Sequence, residues 1–228
     1  MIKQVAIAFN LRFMLLLLLI ELITVPLVAM SNPILRANLL TTLILGFIIA
    51  ALALIIILRL LRQYLIINAE ALFGVKVTLI INLWLVALIA GVLEMVMFAI
   101  QDVLFKLGAN DFVVGFFSAL GSVFCALVCY QLIIKFTKLA IIMQTPSDDY
   151  MIKFAWRDIL YLSILFAMYE LVVCPITGWW IPYSGWSRFG IAIVSAVVGA
   201  ISGFMVMLFC LKLLKQKIYL QLVKVLIE

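Results

Sequence analysis

Histidine is missing altogether from this 228-residue chain, and charged residues are scarce, at 11%. Without histidine the commonest metal ligand, the usual haem ligand and the usual general base are all gone. Cysteine is almost as thin. Cys125 and Cys129 stand one helical turn apart, with no further Cys nearby to complete a four-ligand shell, so neither a metal site nor a disulfide framework is expected. There is no Gly-rich phosphate loop after a strand, no Cys-x-x-Cys motif and no nucleophile beside an evident base. These absences argue against an enzyme and against a bound cofactor. Only an acid dyad shared between two helices would restore catalytic chemistry.

What fills the chain instead is apolar: 69% of the residues, with a mean hydropathy of +1.38, against about 45–50% apolar and about 25% charged in soluble domains. Six stretches, at roughly 13–30, 39–58, 77–100, 112–134, 159–176 and 190–211, approach or exceed the roughly 20 residues a membrane-spanning helix needs. They predict an all-α integral membrane protein, one membrane domain over 1–228. Lys3 and Arg12 before a Leu-rich run resemble a signal peptide, but Glu21 and Pro26 interrupt the run and the same pattern returns mid-chain.

With the N-terminus inside, 13 of the 16 basic residues fall in inner segments and only Arg36, Lys106 and Arg188 fall outside. That positive-inside bias predicts both termini in the cytoplasm, in a bacterial-type inner membrane. The net charge of +6 is therefore read as contact with anionic lipid headgroups at the inner face, not with nucleic acid. A membrane-protein partner or a second copy is compatible with the same pattern.

Three acids sit within the apolar stretches: Glu21, Glu94 and Glu170, at steps of 73 and 76 residues. The basic pairs Arg59/Arg62, Lys135/Lys138 and Lys212/Lys215 recur with a matching step. The chain thus reads as three hairpin repeats, approximately 1–65, 77–140 and 158–217, related by a pseudo-three-fold operation about the membrane normal; all start inside, so they are parallel repeats. Counting back from each pair finds Thr42, Gly46 and Ala50 in the second stretch, Ser118, Ser122 and Ala126 in the fourth, and Ser195, Gly199 and Gly203 in the sixth. All nine are small, and a spacing of four puts each trio on one helix face. Such faces let backbones approach closely in lipid. They suit either packing on the odd-numbered helices or convergence on a central axis.

The Trp-rich loop 179–186 suits a headgroup belt. The tail reads as an amphipathic interfacial helix over 211–228, with Lys217, Gln221, Lys224 and Glu228 on one face. Residues 144–149, Gln-Thr-Pro-Ser-Asp-Asp, read as a solvated turn, and Asn82 and Gln131 as interhelical hydrogen-bonding groups.

An ionised side chain at the bilayer centre costs about 2.5–3.5 kcal/mol on insertion scales, so Glu21, Glu94 and Glu170 need an explanation. As a proton or cation site they predict a transporter or channel. As partners of neighbouring helices or of the outer cations Arg36, Lys106 and Arg188 they would merely brace the fold, as in a non-catalytic subunit or assembly factor of a larger membrane complex. Pro26 and Pro175, five residues beyond their acids, either end a helix or free a backbone carbonyl. The second outcome would rank Glu21 and Glu170 above Glu94.

Overall fold

The computed structural model describes residues 2–6, 39–60, 78–80, 82–137, 139–144, 149–175, 187–214 and 218–225, with Leu15, Leu18, Leu22 and Ile23 in helical conformation. Five long helices carry the described part of the chain: α1 (Leu39–Leu60), α2 (Leu83–Lys106), α3 (Asp111–Thr137), α4 (Trp156–Pro175) and α5 (Arg188–Leu214). Four of them, α2 to α5, are long and apolar enough to cross a membrane. The protein is an integral membrane protein by that criterion.

Local chemistry sets the helix ends. Asn82 caps α2, its Oδ1 accepting the Leu85 N–H at 3.1 Å, and Asn110 does the same for the Val113 N–H at 3.0 Å where α3 begins. Between them α2 closes in a tight turn: Ala109 N–H donates to the Leu104 carbonyl and Gly108 N–H to the Phe105 carbonyl. Gly108 takes the left-handed conformation (φ 74°) that this closure requires and that a side chain disfavours. Arg59, Lys135 and Lys212 each fall in the last turn of a helix, α1, α3 and α5, where a cation complements the helix dipole.

The helices pack in sequence order, α1 on α2, α2 on α3, α3 on α4 and α4 on α5, with the most extensive contact between α3 and α4. Size sorts the residues on each surface. On α5, Ser195, Gly199 and Gly203 are buried while Met205, Phe209 and Leu213 are 60–68% exposed. Small residues inside and large apolar ones outside is the arrangement for a lipid solvent, where close backbone packing replaces hydrophobic expulsion as the force between helices. Ser118, Ser122 and Ala126 are buried on α3 in the same way. Thr42, Gly46 and Ala50 lie in α1, but their side chains fall outside the described set.

Apolar composition predicts an all-α fold; the structure adds a five-stranded antiparallel sheet at one end of the bundle. Its strands are β1 (Ile2–Ala6), β2 (Thr78–Ile80), β3 (Ile142–Gln144), β4 (Asp149–Phe154) and β5 (Tyr219–Lys224), in the order β1-β5-β4-β3-β2. Two further expectations are corrected by it. The tail pattern predicts a helix over 211–228, yet α5 ends at Leu214 and β5 lies between β1 and β4. In Tyr219-Leu220-Gln221-Leu222-Val223-Lys224 the apolar residues fit a period of 2 as well as a helical one, and two neighbouring strands supply the backbone partners that decide it. The expected turn at 144–149 is flanked by β3 and β4, with Gln144 donating to the Asp149 carboxylate at 3.1 Å across the hairpin and residues 145–148 outside the described residues. The third stretch, expected from 77, begins with β2, and its helix starts only at Leu83.

Two units of the chain share one plan. β2-α2-α3-β3 is enclosed by the antiparallel pair Ile80↔Ile142, and β4-α4-α5-β5 by the pair Phe154↔Leu220. The bundle and the sheet are fastened together by α3. Buried Tyr130 donates its hydroxyl to the Ile152 carbonyl at 2.9 Å and accepts the Ile141 N–H at 3.2 Å. Gln131 donates to the Phe154 carbonyl at 2.8 Å. Asn82 and Gln131 therefore serve a helix cap and the sheet, not a neighbouring helix. Tyr130→Phe keeps the ring against Phe154 but strands two backbone groups, and is expected to cost about 2–3 kcal/mol. A fall in the thermal midpoint of the detergent-solubilised protein, absent in Tyr161→Phe, would show it.

Candidate functional site

Of the three acids expected within the membrane, the structure describes two. Glu21 and its partner candidate Arg36 lie outside the described residues, as does Pro26.

Glu94 occupies the middle of α2, 11 residues after Leu83 and 12 before Lys106. At about 1.5 Å per residue that is roughly 17 Å from either helix end, close to half the thickness of a hydrocarbon core. It belongs to the stripe Ala87, Gly91, Glu94 and Phe98, whose other members are buried, and its Oε2 atom is sealed from solvent. Leu85 packs with Tyr130 and Ile134 of α3. Nine residues on, at about 100° per residue, Glu94 points half a turn away from that contact. Lys106, proposed above as a counter-charge, is exposed at the far end of the same helix, about 18 Å along the axis, beyond the combined reach of two side chains.

Glu170 is placed differently. It stands five residues before Pro175, the buried last described residue of α4. Its backbone carbonyl lies against Gly115 of α3: a Cβ at Gly115 would come within 2.5 Å of that oxygen and 2.6 Å of the Cys174 Cβ. Arg188 opens α5, with its side chain outside the described set.

Glu94 and Glu170 do not form one dyad through this packing. Their helices pack on α3, and the register along α3 separates their depths. Gly115 meets Glu170, whereas Gly121 meets Ile100, a further six residues above Glu94. The two acids therefore differ in depth by about 18 Å. Of the two described acids, Glu94 holds the position nearer the middle of its helix.

The small-residue faces have definite neighbours. Gly203 of α5 lies against the ring of Tyr169, and Gly199 against Val173, both on α4. Of the two arrangements such faces allow, α5 takes the first, packing on an adjacent odd-numbered helix.

Two groups that sequence reasoning passes over are Tyr130 and Asp158. Asp158 is buried in the first turn of α4; its Oδ1 accepts the Tyr219 N–H at 3.4 Å and lies 3.9 Å from the Arg157 guanidinium. It pins β5 to the base of α4. The only hint in the sequence is an acid at a helix start, where the dipole favours it. All four cysteines are free; Cys125 is exposed on α3 and Cys129 half-buried. Among the described residues no cluster of three or more Cys, Asp or Glu could hold a metal ion.

Comparison with models of protein families, with curated proteins and with solved structures finds no match. The functional reading rests on the geometry alone.

Proposed function

We propose that the protein is a proton- or cation-linked transporter or channel of a bacterial-type inner membrane, with Glu94 as the central group of its coupling site. The observation that supports this most directly is half-buried Glu94, with its Oε2 atom sealed from solvent, at the midpoint of a 24-residue apolar helix. A carboxyl group that deep is costly when ionised and is functional by default. It suits a group that exchanges a proton or cation when an aqueous route opens. Glu170, nearer a helix end, and Glu21 are secondary members of the pathway.

The architecture that goes with this reading is six spans in three hairpins about a pseudo-three-fold axis, with both termini and the sheet on the cytoplasmic side. The exposed Lys135, Arg157 and Lys212 near the sheet end then meet anionic headgroups.

A subunit or assembly role is the second reading. It is favoured by a groove of about 370 Å³ on α2, lined by Met95, Val96, Ala99, Ile100, Val103 and Leu104, which is wholly apolar and excludes Glu94. An apolar patch of this kind suits a membrane partner's helix.

Reconstitution separates the two. Purified protein in liposomes loaded with a pH-sensitive dye should pass protons under an imposed potassium diffusion potential faster than empty liposomes. Flux at the empty-liposome level, together with a stoichiometric partner on mild solubilisation, would replace transport by the subunit reading.

A further inference from the structure

Three aromatic rings mark the rim where the bundle meets the sheet. Trp84 is the second residue of α2, Phe136 the last but one of α3 and Trp156 the first of α4, and they are 65%, 76% and 65% exposed. One helical turn further into the bundle each face continues with a leucine, Leu88, Leu132 and Leu160, exposed as well. Contacts already described hold these helix ends together. Gln131 reaches the Phe154 carbonyl, two residues before Trp156, and Leu85, the residue after Trp84, packs with Tyr130 and Ile134. Cations share the rim: the Lys135 Nζ lies 5.7 Å from the centre of the Phe136 ring and the Arg157 guanidinium 5.8 Å from that of Tyr161, both side chains being exposed.

These two sets of residues exclude opposite surroundings. Large rings and leucines presented together to water make the kind of apolar patch that marks an interaction surface. Lysine, arginine and the indole N–H groups, in turn, find no partners in hydrocarbon, where a charge costs about 2.5–3.5 kcal/mol. A headgroup layer satisfies both. The ring bodies and leucines reach the acyl chains, while the N–H groups and cations meet ester and phosphate oxygens.

We propose that Trp84, Phe136 and Trp156, with Lys135 and Arg157 beside them, form a belt that binds the headgroup layer of an anionic bilayer and sets the membrane boundary at the junction of bundle and sheet. The sheet then lies outside the hydrocarbon, where the charges of Asp149, Lys153 and Lys224 on its strands are tolerated. Glu94 stands ten residues along α2 from Trp84, about 15 Å, which is half of a hydrocarbon core roughly 30 Å thick. The Trp-rich loop 179–186, expected at a headgroup layer from its composition, lies outside the described residues. The belt rests on the helices that cross the membrane and not on the transport reading, and its test reads no flux.

Tryptophan fluorescence tests it in the full chain, reconstituted into vesicles of equal parts phosphatidylcholine and phosphatidylglycerol. Trp179, Trp180 and Trp186 are replaced by Phe together with either Trp84 or Trp156, leaving one reporter. Bromine is carried on the acyl chains, near the carbonyl or near the terminal methyl. Each reporter should be quenched at least about twofold more by the shallow label than by the deep one. Met205→Trp, on the exposed face of α5 nine residues before Leu214 and with the native tryptophans replaced, calibrates the deep end. Stronger quenching of Trp84 or Trp156 by the deep label would overturn the proposal. So would no quenching by either, because the rings would then be covered by protein or lie in water. Moving the shallow bromine from phosphatidylcholine to phosphatidylglycerol should raise the quenching, and Lys135→Gln with Arg157→Gln should abolish that difference. Equal quenching from the two lipids without those substitutions would overturn the assignment of anionic headgroups.

Discussion

Glu94→Gln should reduce proton flux through the reconstituted protein to the level of empty liposomes while leaving its thermal midpoint unchanged or slightly raised. Glutamine keeps the length, the volume and much of the hydrogen-bonding capacity of the acid, but cannot exchange a proton or hold a cation by charge. At the centre of α2 the residue is half-buried, with its Oε2 atom sealed from solvent, and shares its helix face with Ala87, Gly91 and Phe98. Keeping a charge there costs a few kcal/mol, and the uncharged isostere avoids that cost. Glu94→Ala, by contrast, removes the polar group as well as the volume and should destabilise by about 1–3 kcal/mol. Glu170→Gln should have the smaller effect on flux, because Glu170 stands one turn and a half from the end of α4. Flux that survives Glu94→Gln, with destabilisation instead, would mean that the acid braces the fold.

Gly115→Ala is expected to cost about 2–3 kcal/mol. The new Cβ would sit 2.5 Å from the backbone carbonyl oxygen of Glu170, and a backbone atom cannot rotate out of the way. α3 and α4 would have to separate by roughly 1 Å along the most extensive helix contact, forfeiting dispersion on both sides. Overpacking of this kind typically costs about 1–3 kcal/mol, more than the roughly 1 kcal/mol of helix propensity that Gly→Ala returns. Gly121→Ala is the control. There the obstacle is Cδ1 of Ile100, the tip of a flexible side chain, so the propensity gain should win and the variant should be neutral or more stable. Gly203→Ala, against the rigid ring of Tyr169 at still closer range, should be destabilising as well. Thermal unfolding of the three variants in one detergent gives the order. Equal midpoints for Gly115→Ala and Gly121→Ala would show that the α3–α4 contact is looser than the structure has it.

Much of the helical part was legible in the chain. Asp111 to Thr137 and Arg188 to Leu214 exceed the expected boundaries by only a few residues, because hydropathy and the 3.6 period are summed over a local window. The buried faces Ser118/Ser122/Ala126 and Ser195/Gly199/Gly203 follow from spacing alone. So does membrane character, since lipid selects for composition and not for a particular partner.

Tertiary structure alone decided the rest. Residues 2–6 and 219–224 form paired strands across more than 200 residues of chain, and a strand's hydrogen bonds lie wholly on other strands, so no local pattern discloses them. The same holds for Tyr130, which reads as one more aromatic residue in an apolar helix until the Ile152 carbonyl and Ile141 N–H arrive at its hydroxyl. The relative depth of Glu94 and Glu170 was likewise set by how α2 and α4 slide against α3. Sequence counts residues from the nearest loop, whereas the height of a side chain in a bundle depends on the register of its helix against its neighbours.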